Sequence, residues 1–177
     1  VLLEIYKNIH KRTIRTKRDV YYTDTNLFKT QSFLDAIVSE ISNRLKVPRD
    51  ALNLVATGKG LVFGGMRING LDIRSVQLIH SLKEIKSLVC NAKFVLVVEK
   101  DAVMTTIVQH YEEMVQVLGE FVIITGKGYP CLKTKQFLNL IQSSFPLLPI
   151  YCLVDHDPFG IHICLNYATK SPVRSDI

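Results

Sequence analysis

Three short apolar runs, each closed by polar residues and followed by helical spacing, constrain this chain more than any other feature. FVLVV (94–98) precedes Val103, Ile107, Tyr111, Met114, Val115 and Leu118. FVIIT (121–125) precedes a helix expected over 131–142, and IYCLV (150–154) precedes one over 158–168. Runs this short, rich in Val and Ile and without polar alternation, read as strands buried on both faces. Strands that alternate with helices build β-α-β units and a parallel sheet.

In such a sheet, chemistry gathers at the carboxyl ends of the strands. The three runs end in Glu99-Lys100-Asp101, Gly126-Lys127-Gly128 and Asp155-His156-Asp157. Glu99, Asp155 and Asp157 would therefore converge on one edge. Converging carboxylates raise one another's pKa unless a cation sits among them. A hard divalent ion, Mg²⁺ above all, suits oxygen ligands of this kind. A second reading stands beside it. Asp157 before Pro158 is also a helix N-cap with proline at the first helical position, and Glu99 can cap the helix that follows it. Gly126-Lys127-Gly128 lacks both Walker A spacing and a dinucleotide fingerprint, so a turn is its default.

The first half has a different grammar. Leu34, Ile37, Val38, Ile41 and Leu45 form the stripe of an amphipathic helix, with Thr25 as a cap near its start and Val47-Pro48 as its stop. The sequence allows a short helix over Arg49 to Leu52. Asn53 to Val62 then reads as two strand pieces, NLVA and GLVFG, turning at Thr57-Gly58-Lys59-Gly60. Helix, short helix and glycine-turned hairpin are the order of a winged helix-turn-helix, whose wing touches the DNA backbone. Gly64-Gly65 and Asn69-Gly70 mark further turns, and residues 76–89 fit a helix with Ile79, Leu82, Ile85 and Leu88 or Val89 inward.

Charge separates the halves further. Residues 1–60 carry 11 Lys and Arg against 6 Asp and Glu; the remaining residues carry 11 against 10. The excess is densest in Lys7, Lys11, Arg12, Arg15, Lys17 and Arg18. A cluster of this kind suits a polyanion, most simply nucleic acid, or else forms a solvated basic arm. Apolar runs such as Phe94 to Val98 stop far short of the ~18 residues that span a bilayer. The chain opens on Val1 and carries no signal-peptide pattern, which suggests a processed form or a fragment. Cys90, Cys131, Cys152 and Cys164 lie singly among apolar residues, as expected of reduced, packed thiols in an intracellular protein.

Tyr21-Tyr22 follows Lys17-Arg18 and precedes Thr23-Asp24. A tyrosine oxygen can attack phosphorus and hold a covalent phosphodiester, and Arg18 can clamp the phosphate. Adjacent tyrosines also pack against cores, and composition alone leaves that alternative open.

At these residues a resemblance emerges. Lys17-Arg18-Asp19-Val20-Tyr21-Tyr22-Thr23-Asp24 resembles the active-tyrosine motif of the topoisomerase VI A-type protein, and more closely that of its eukaryotic relatives, which make meiotic double-strand breaks. Val97-Val98-Glu99-Lys100-Asp101-Ala102 is similar to the first acidic motif of their Toprim domain. Ile124 to Pro130 resembles the next family segment, and Leu153 to Ile161 resembles the Asp-x-Asp-Pro-x-Gly motif. Gly58-Lys59-Gly60-Leu61-Val62 is similar to the family's wing. Five motifs in order cover residues 17–163.

The resemblance implies an α+β winged-helix domain over 1–75 carrying the active tyrosine and a linker over 76–92. An α/β Toprim domain over 93–177 would follow, with a parallel Rossmann-like sheet and a truncated carboxyl end. It implies a transesterase of the type IIB topoisomerase kind that breaks duplex DNA and leaves protein on the 5′ ends, initiating meiotic recombination. The alternatives are an archaeal-type topoisomerase VI A protein that also reseals breaks, and a duplex-binding fragment without catalysis. Tyr22 would be the nucleophile and Arg18 would position the phosphate. Glu99, Asp155 and Asp157 would hold Mg²⁺, with Mn²⁺ as a substitute. Lys17, Lys59, Lys127 and Tyr129 would face DNA. The implied assembly is a homodimer with each active site shared between protomers, joined by a B-type topoisomerase VI-like partner and meiotic accessory proteins. It would act in the nucleus, away from any membrane.

Overall fold

The computed structural model of the chain describes residues 1–13, 15–47, 49–55, 58–79 and 81–169. The expected stop at Pro48, Thr57 of the expected turn and everything beyond Thr169 lie outside these residues. The chain divides into two compact units, Val1–Thr57 and Gly58–Ile177.

The first unit is helical. It runs through α1 (Leu2–His10), a short strand β1 (Arg15–Thr16), α2 (Lys17–Thr23), α3 (Thr25–Phe28), α4 (Gln31–Leu45), a 3₁₀ turn (Arg49–Leu52) and β2 (Leu54–Val55). Its core gathers Ile5, Val20, Phe28, Leu34, Val38, Leu52 and Leu54. The amphipathic stripe is therefore in place, but Thr25 does not cap it. Asp24 caps α3 through the Leu27 N–H, and Thr30 caps α4 through the Phe33 N–H. Polar side chains are preferred at both positions because they accept backbone N–H groups that a helix start leaves unpaired.

The second unit is a six-stranded sheet. Its strands are β3 (Leu61–Ile68), β4 (Leu71–Leu78), β5 (Leu88–Cys90), β6 (Phe94–Val98), β7 (Phe121–Thr125) and β8 (Ile150–Leu153). The order is β4-β3-β7-β6-β8, with β5 also on β3. Helices α5 (Asp101–Gln109), α6 (Tyr111–Leu118), α7 (Leu132–Ser144) and α8 (Pro158–Ala168) complete it. The expected parallel units are β7-β6-β8. Alternate residues explain why these strands read as unbroken apolar runs. Val95, Val97, Val122 and Ile124 pack with Phe137, Ile141 and Ile163 of α7 and α8. Phe94, Leu96, Val98, Phe121 and Ile123 pack with Met104 and Tyr111 of α5 and α6. Both faces are apolar because both are covered.

Three expectations are corrected here. First, the NLVA/GLVFG hairpin does not form. Leu54–Val55 pairs in parallel with Arg15–Thr16 in the first unit. Leu61 begins β3, which pairs antiparallel with β7 as Leu61↔Thr125 through Gly64↔Val122. The sheet is therefore mixed rather than parallel, and residues 58–75, expected in the amino-terminal domain, lie in the second unit. The physical reason is hydrophobic: Val62, Phe63 and Met66 are all buried, and a wing tip in water would expose them.

Second, Gly64-Gly65 is no turn. A Cβ on Gly64, at φ +109°, would lie 2.3 Å from the Phe121 carbonyl oxygen and 3.0 Å from the Tyr111 hydroxyl. The glycine lets β3 approach β7 and Tyr111 closely. The Tyr111 hydroxyl donates to the Phe121 carbonyl at 2.6 Å and accepts from the Gly65 N–H at 3.1 Å. Asn69-Gly70 is the turn, with φ of +52° and +81°, as a two-residue hairpin loop of the primed kind requires.

Third, no α-helix forms over the described residues of 76–89: Val76–Leu78 ends β4, Leu82–Glu84 is a single 3₁₀ turn and Leu88 begins β5. Ile79 is buried and Leu82, Ile85 and Leu88 pack on the same core, so the inward set was right. After the 3₁₀ turn the backbone does not continue as a helix, because Asn69 pins it from Glu84 to Ser87. Asn69 donates to the Glu84 carbonyl and accepts from the Lys86 and Ser87 N–H groups at 2.7, 2.7 and 3.1 Å. One smaller difference is that the helix after β6 breaks at His110 into α5 and α6. Among the described residues, no helix is long and apolar enough to cross a membrane.

Candidate active site

The tyrosine pair sits on α2, which a capping box starts. Thr16 accepts from the Asp19 N–H at 3.1 Å, and Asp19 accepts from the Thr16 N–H at 3.0 Å. Thr16 holds the Asp19 carboxyl below its ordinary range. Val20, wholly buried, fixes which face of the helix turns inward. The two tyrosines then part ways. Tyr21 packs against the core, and its hydroxyl donates to the Lys29 carbonyl at 3.4 Å. Tyr22 is 58% exposed. Its hydroxyl forms no hydrogen bond among the described residues.

Arg18 lies one helical turn before Tyr22, on the same face. Its guanidinium carbon stands 5.7 Å from the centre of the Tyr22 ring. Other members of the basic cluster are already engaged. Lys7 and Arg15 pair with Glu4 at 2.9 and 3.1 Å, and Lys17 pairs with Asp35 of α4. Lys11, Arg12 and Arg18 form no ion pair among the described residues.

The acids stand on the second unit, at the carboxyl ends of β6 and β8. Glu99 turns its carboxylate onto the Asp155 N–H at 3.0 Å. Parallel pairing of β6 with β8 makes this contact, because it ends the two strands at the same level. The Asp155 carboxylate pairs with the Lys100 ammonium at 2.5 Å. Asp157 caps α8, accepting from the Gly160 N–H at 2.7 Å with Pro158 at the first helical position. The capping role foreseen for Asp157 is thus real. Among the described residues, no three His, Cys, Asp or Glu side chains form a group that could hold a metal ion as they lie.

The loop after β7 completes this edge. The Glu99 carbonyl accepts from the Gly128 N–H at 2.8 Å and from the Thr125 hydroxyl at 3.3 Å. Lys127 adopts φ +54° and pairs with Asp101 at 2.7 Å. Lys59 donates to the Lys127 carbonyl at 3.2 Å. It therefore flanks the acidic edge of the second unit instead of tipping a wing. Tyr129 meets His162 of α8 at 2.9 Å.

Two residues of this edge were not singled out from sequence. Lys100 reads in the sequence only as part of a polar strand end, and only the pairing of β6 with β8 brings it to Asp155. Gly160 packs α8 against the acid-bearing strand end: a Cβ there would lie 2.2 Å from the Asp155 carbonyl oxygen. The glycine of an Asp-Pro-x-Gly run was the available signal. Replacing Asp157 by Ala is expected to lower stability by about 1 kcal/mol through loss of the cap. Urea denaturation measures this. An unchanged midpoint would contradict the capping geometry.

The chain matches two family models. One describes the Toprim domain shared by Spo11 and the A-type component of topoisomerase 6, and it covers residues 94–175. The other, described as type IIB DNA topoisomerase, covers residues 1–54. The chain is 38% identical over 176 residues to the human meiotic recombination protein SPO11, covering 94% of this chain and 44% of that protein. To the meiotic recombination protein rec12 of Schizosaccharomyces pombe it is 36% identical over 173 residues, 94% of this chain and 48% of that protein. To the A-type component of DNA topoisomerase 6 from Arabidopsis thaliana it is 32% identical over 174 residues, 93% of this chain and 39% of that protein. The chain thus spans less than half the length of each of these relatives.

Proposed function

We propose a function on one premise: this chain belongs to the family of Spo11 and the A-type component of topoisomerase 6. On that reading it carries the catalytic residues of a DNA-cleaving tyrosine transesterase that opens meiotic recombination in the nucleus. The observation that carries the reading is the Tyr22 hydroxyl, exposed and unpaired among the described residues, with Arg18 on the same helical face. The Tyr22 oxygen attacks a backbone phosphorus and loses its proton. The phosphorus–oxygen bond to the 3′ side breaks, the 3′ oxygen takes a proton, and the 5′ phosphate stays on tyrosine. Arg18 supplies two parallel N–H donors to the phosphate, the geometry that guanidinium offers best.

Glu99, Asp155 and Asp157 would hold Mg²⁺. Their oxygen donors suit a hard cation, and the Lys100 ammonium already pairs with one of them, Asp155. Bound there, Mg²⁺ would supply positive charge beside the reacting phosphate. The first unit is read as the helical part that presents the tyrosine, on α2. Lys59, Lys127 and Tyr129 would face the duplex from the second unit. Lys17, tied to Asp35, would do so only by giving up that pair. Two copies would share each active site, the tyrosine of one meeting the acids of the other, with a B-type partner beside them.

Covalent trapping tests this. Duplex DNA labelled at either end is incubated with the chain, its B-type partner and Mg²⁺, then denatured in detergent. Protein should appear on 5′ ends only. EDTA should abolish the adduct, and Asp155→Asn should lower it by about 10²-fold or more, the usual cost of losing one electrostatic partner of a reacting group. An adduct on 3′ ends, or one indifferent to Asp155→Asn, would overturn the assignment. Salt-sensitive duplex binding with no adduct would make this a binding module instead.

A further inference from the structure

The Lys100 ammonium occupies the acidic edge at Asp155. It lies 2.5 Å from one Asp155 oxygen, and Glu99 holds the Asp155 backbone in place. The neighbouring lysine is arranged differently. Lys127 pairs with Asp101, outside the three acids. Lys100 is therefore the ammonium paired with one of the three acids.

We propose that Lys100 is a built-in counter-ion for the acidic edge, which a divalent cation must displace from Asp155. The proposal rests on the reading of Glu99, Asp155 and Asp157 as a divalent-ion site. It adds that one of the three negative charges is already offset without metal, which lessens repulsion among the acids when metal is absent. Exchange costs the metal the Lys100–Asp155 pair. It also frees one ammonium, half exposed and close to the acids, for a phosphate. Metal loading and the appearance of a new cation for DNA would then be a single event. Lys100 acts here as a positioning and affinity-setting residue, since it touches the acids rather than the reacting atoms.

The test is direct binding of Mn²⁺ by the whole chain without DNA, read from the electron paramagnetic resonance signal of free Mn²⁺. Lys100→Met keeps much of the stem and removes the charge. It should tighten Mn²⁺ binding about fivefold at low salt, the upper range for a pair this exposed. Lys100→Arg keeps a cation and should stay close to the parent chain. Raising ionic strength should shrink the gap between the parent chain and Lys100→Met, because exposed pairs are screened. Equal or weaker binding by Lys100→Met, in a chain whose circular dichroism matches the parent, would overturn the proposal. Asp155→Asn separates the two readings. If the parent binds Mn²⁺ no better than Asp155→Asn, the metal site itself is wrong and the proposal falls with it. If Asp155→Asn loses binding while Lys100→Met gains none, only the counter-ion role is wrong.

Discussion

Tyr22→Phe is expected to lower the covalent DNA adduct by at least about a thousandfold, because no neighbouring oxygen stands in its place. Tyr21→Phe should leave the adduct largely intact. The contrast comes from how α2 is seated. With Val20 wholly buried, the residue after it lies against the core and the next one faces water. The change should be silent in folding. The Tyr22 ring remains to meet Tyr21 edge-on at 5.3 Å and Arg18 at 5.7 Å, and the lost hydroxyl makes no hydrogen bond among the described residues. Stability should stay within about 0.5 kcal/mol of the parent, as for other surface changes. An adduct that survives Tyr22→Phe and vanishes with Tyr21→Phe would move the nucleophile by one residue.

Gly160→Ala should damage fold and chemistry together. In an open helix this change gains up to about 1 kcal/mol, because alanine loses less backbone freedom than glycine. Here the sign reverses. The new Cβ would lie 2.2 Å from the Asp155 carbonyl oxygen and 3.1 Å from both its carbonyl carbon and its nitrogen. All three are backbone atoms, so no flexible side chain can yield. Overpacking of this kind costs about 1–3 kcal/mol. The relief available is to push α8 away from the end of β8, and that carries Asp155 off the Glu99 carboxylate. We expect a lower urea midpoint, Mn²⁺ affinity reduced along with it, and the covalent adduct lost. A variant more stable than the parent, with unchanged Mn²⁺ binding, would show that α8 does not press on the acid-bearing strand end.

Half of this architecture was legible in the residues. FVLVV, FVIIT and IYCLV announced themselves because a strand covered on both faces has no polar alternation to dilute its signal. The Asp157-Pro158 cap was equally local and equally readable. LVFGGM was not. Its two glycines look like punctuation, yet Gly64 is there because Phe121, far along the chain, needs the space that a side chain would fill. Residues 76–89 show the same limit from another side. Ile79, Leu82, Ile85 and Leu88 suit a helix face by spacing, but only Leu82–Glu84 makes a 3₁₀ turn before Asn69 ties down the backbone that follows. Lys59 followed the fate of β3. Once Leu61 joined β7, the lysine two residues earlier had to lie at the acidic edge. In each case the deciding partner was remote in sequence.

That remoteness has a cost during synthesis. The β3–β4 hairpin can close as soon as Leu78 leaves the ribosome, but the strand that covers the inner edge of β3 ends at Thr125. At ordinary elongation rates the interval is roughly 2–10 s. Throughout it, Leu61, Val62 and Phe63 present an apolar strand with unpaired N–H and C=O groups, a ready template for another nascent chain. The geometry that brings Lys59 to the acids thus makes the nascent hairpin depend on protection until β7 arrives.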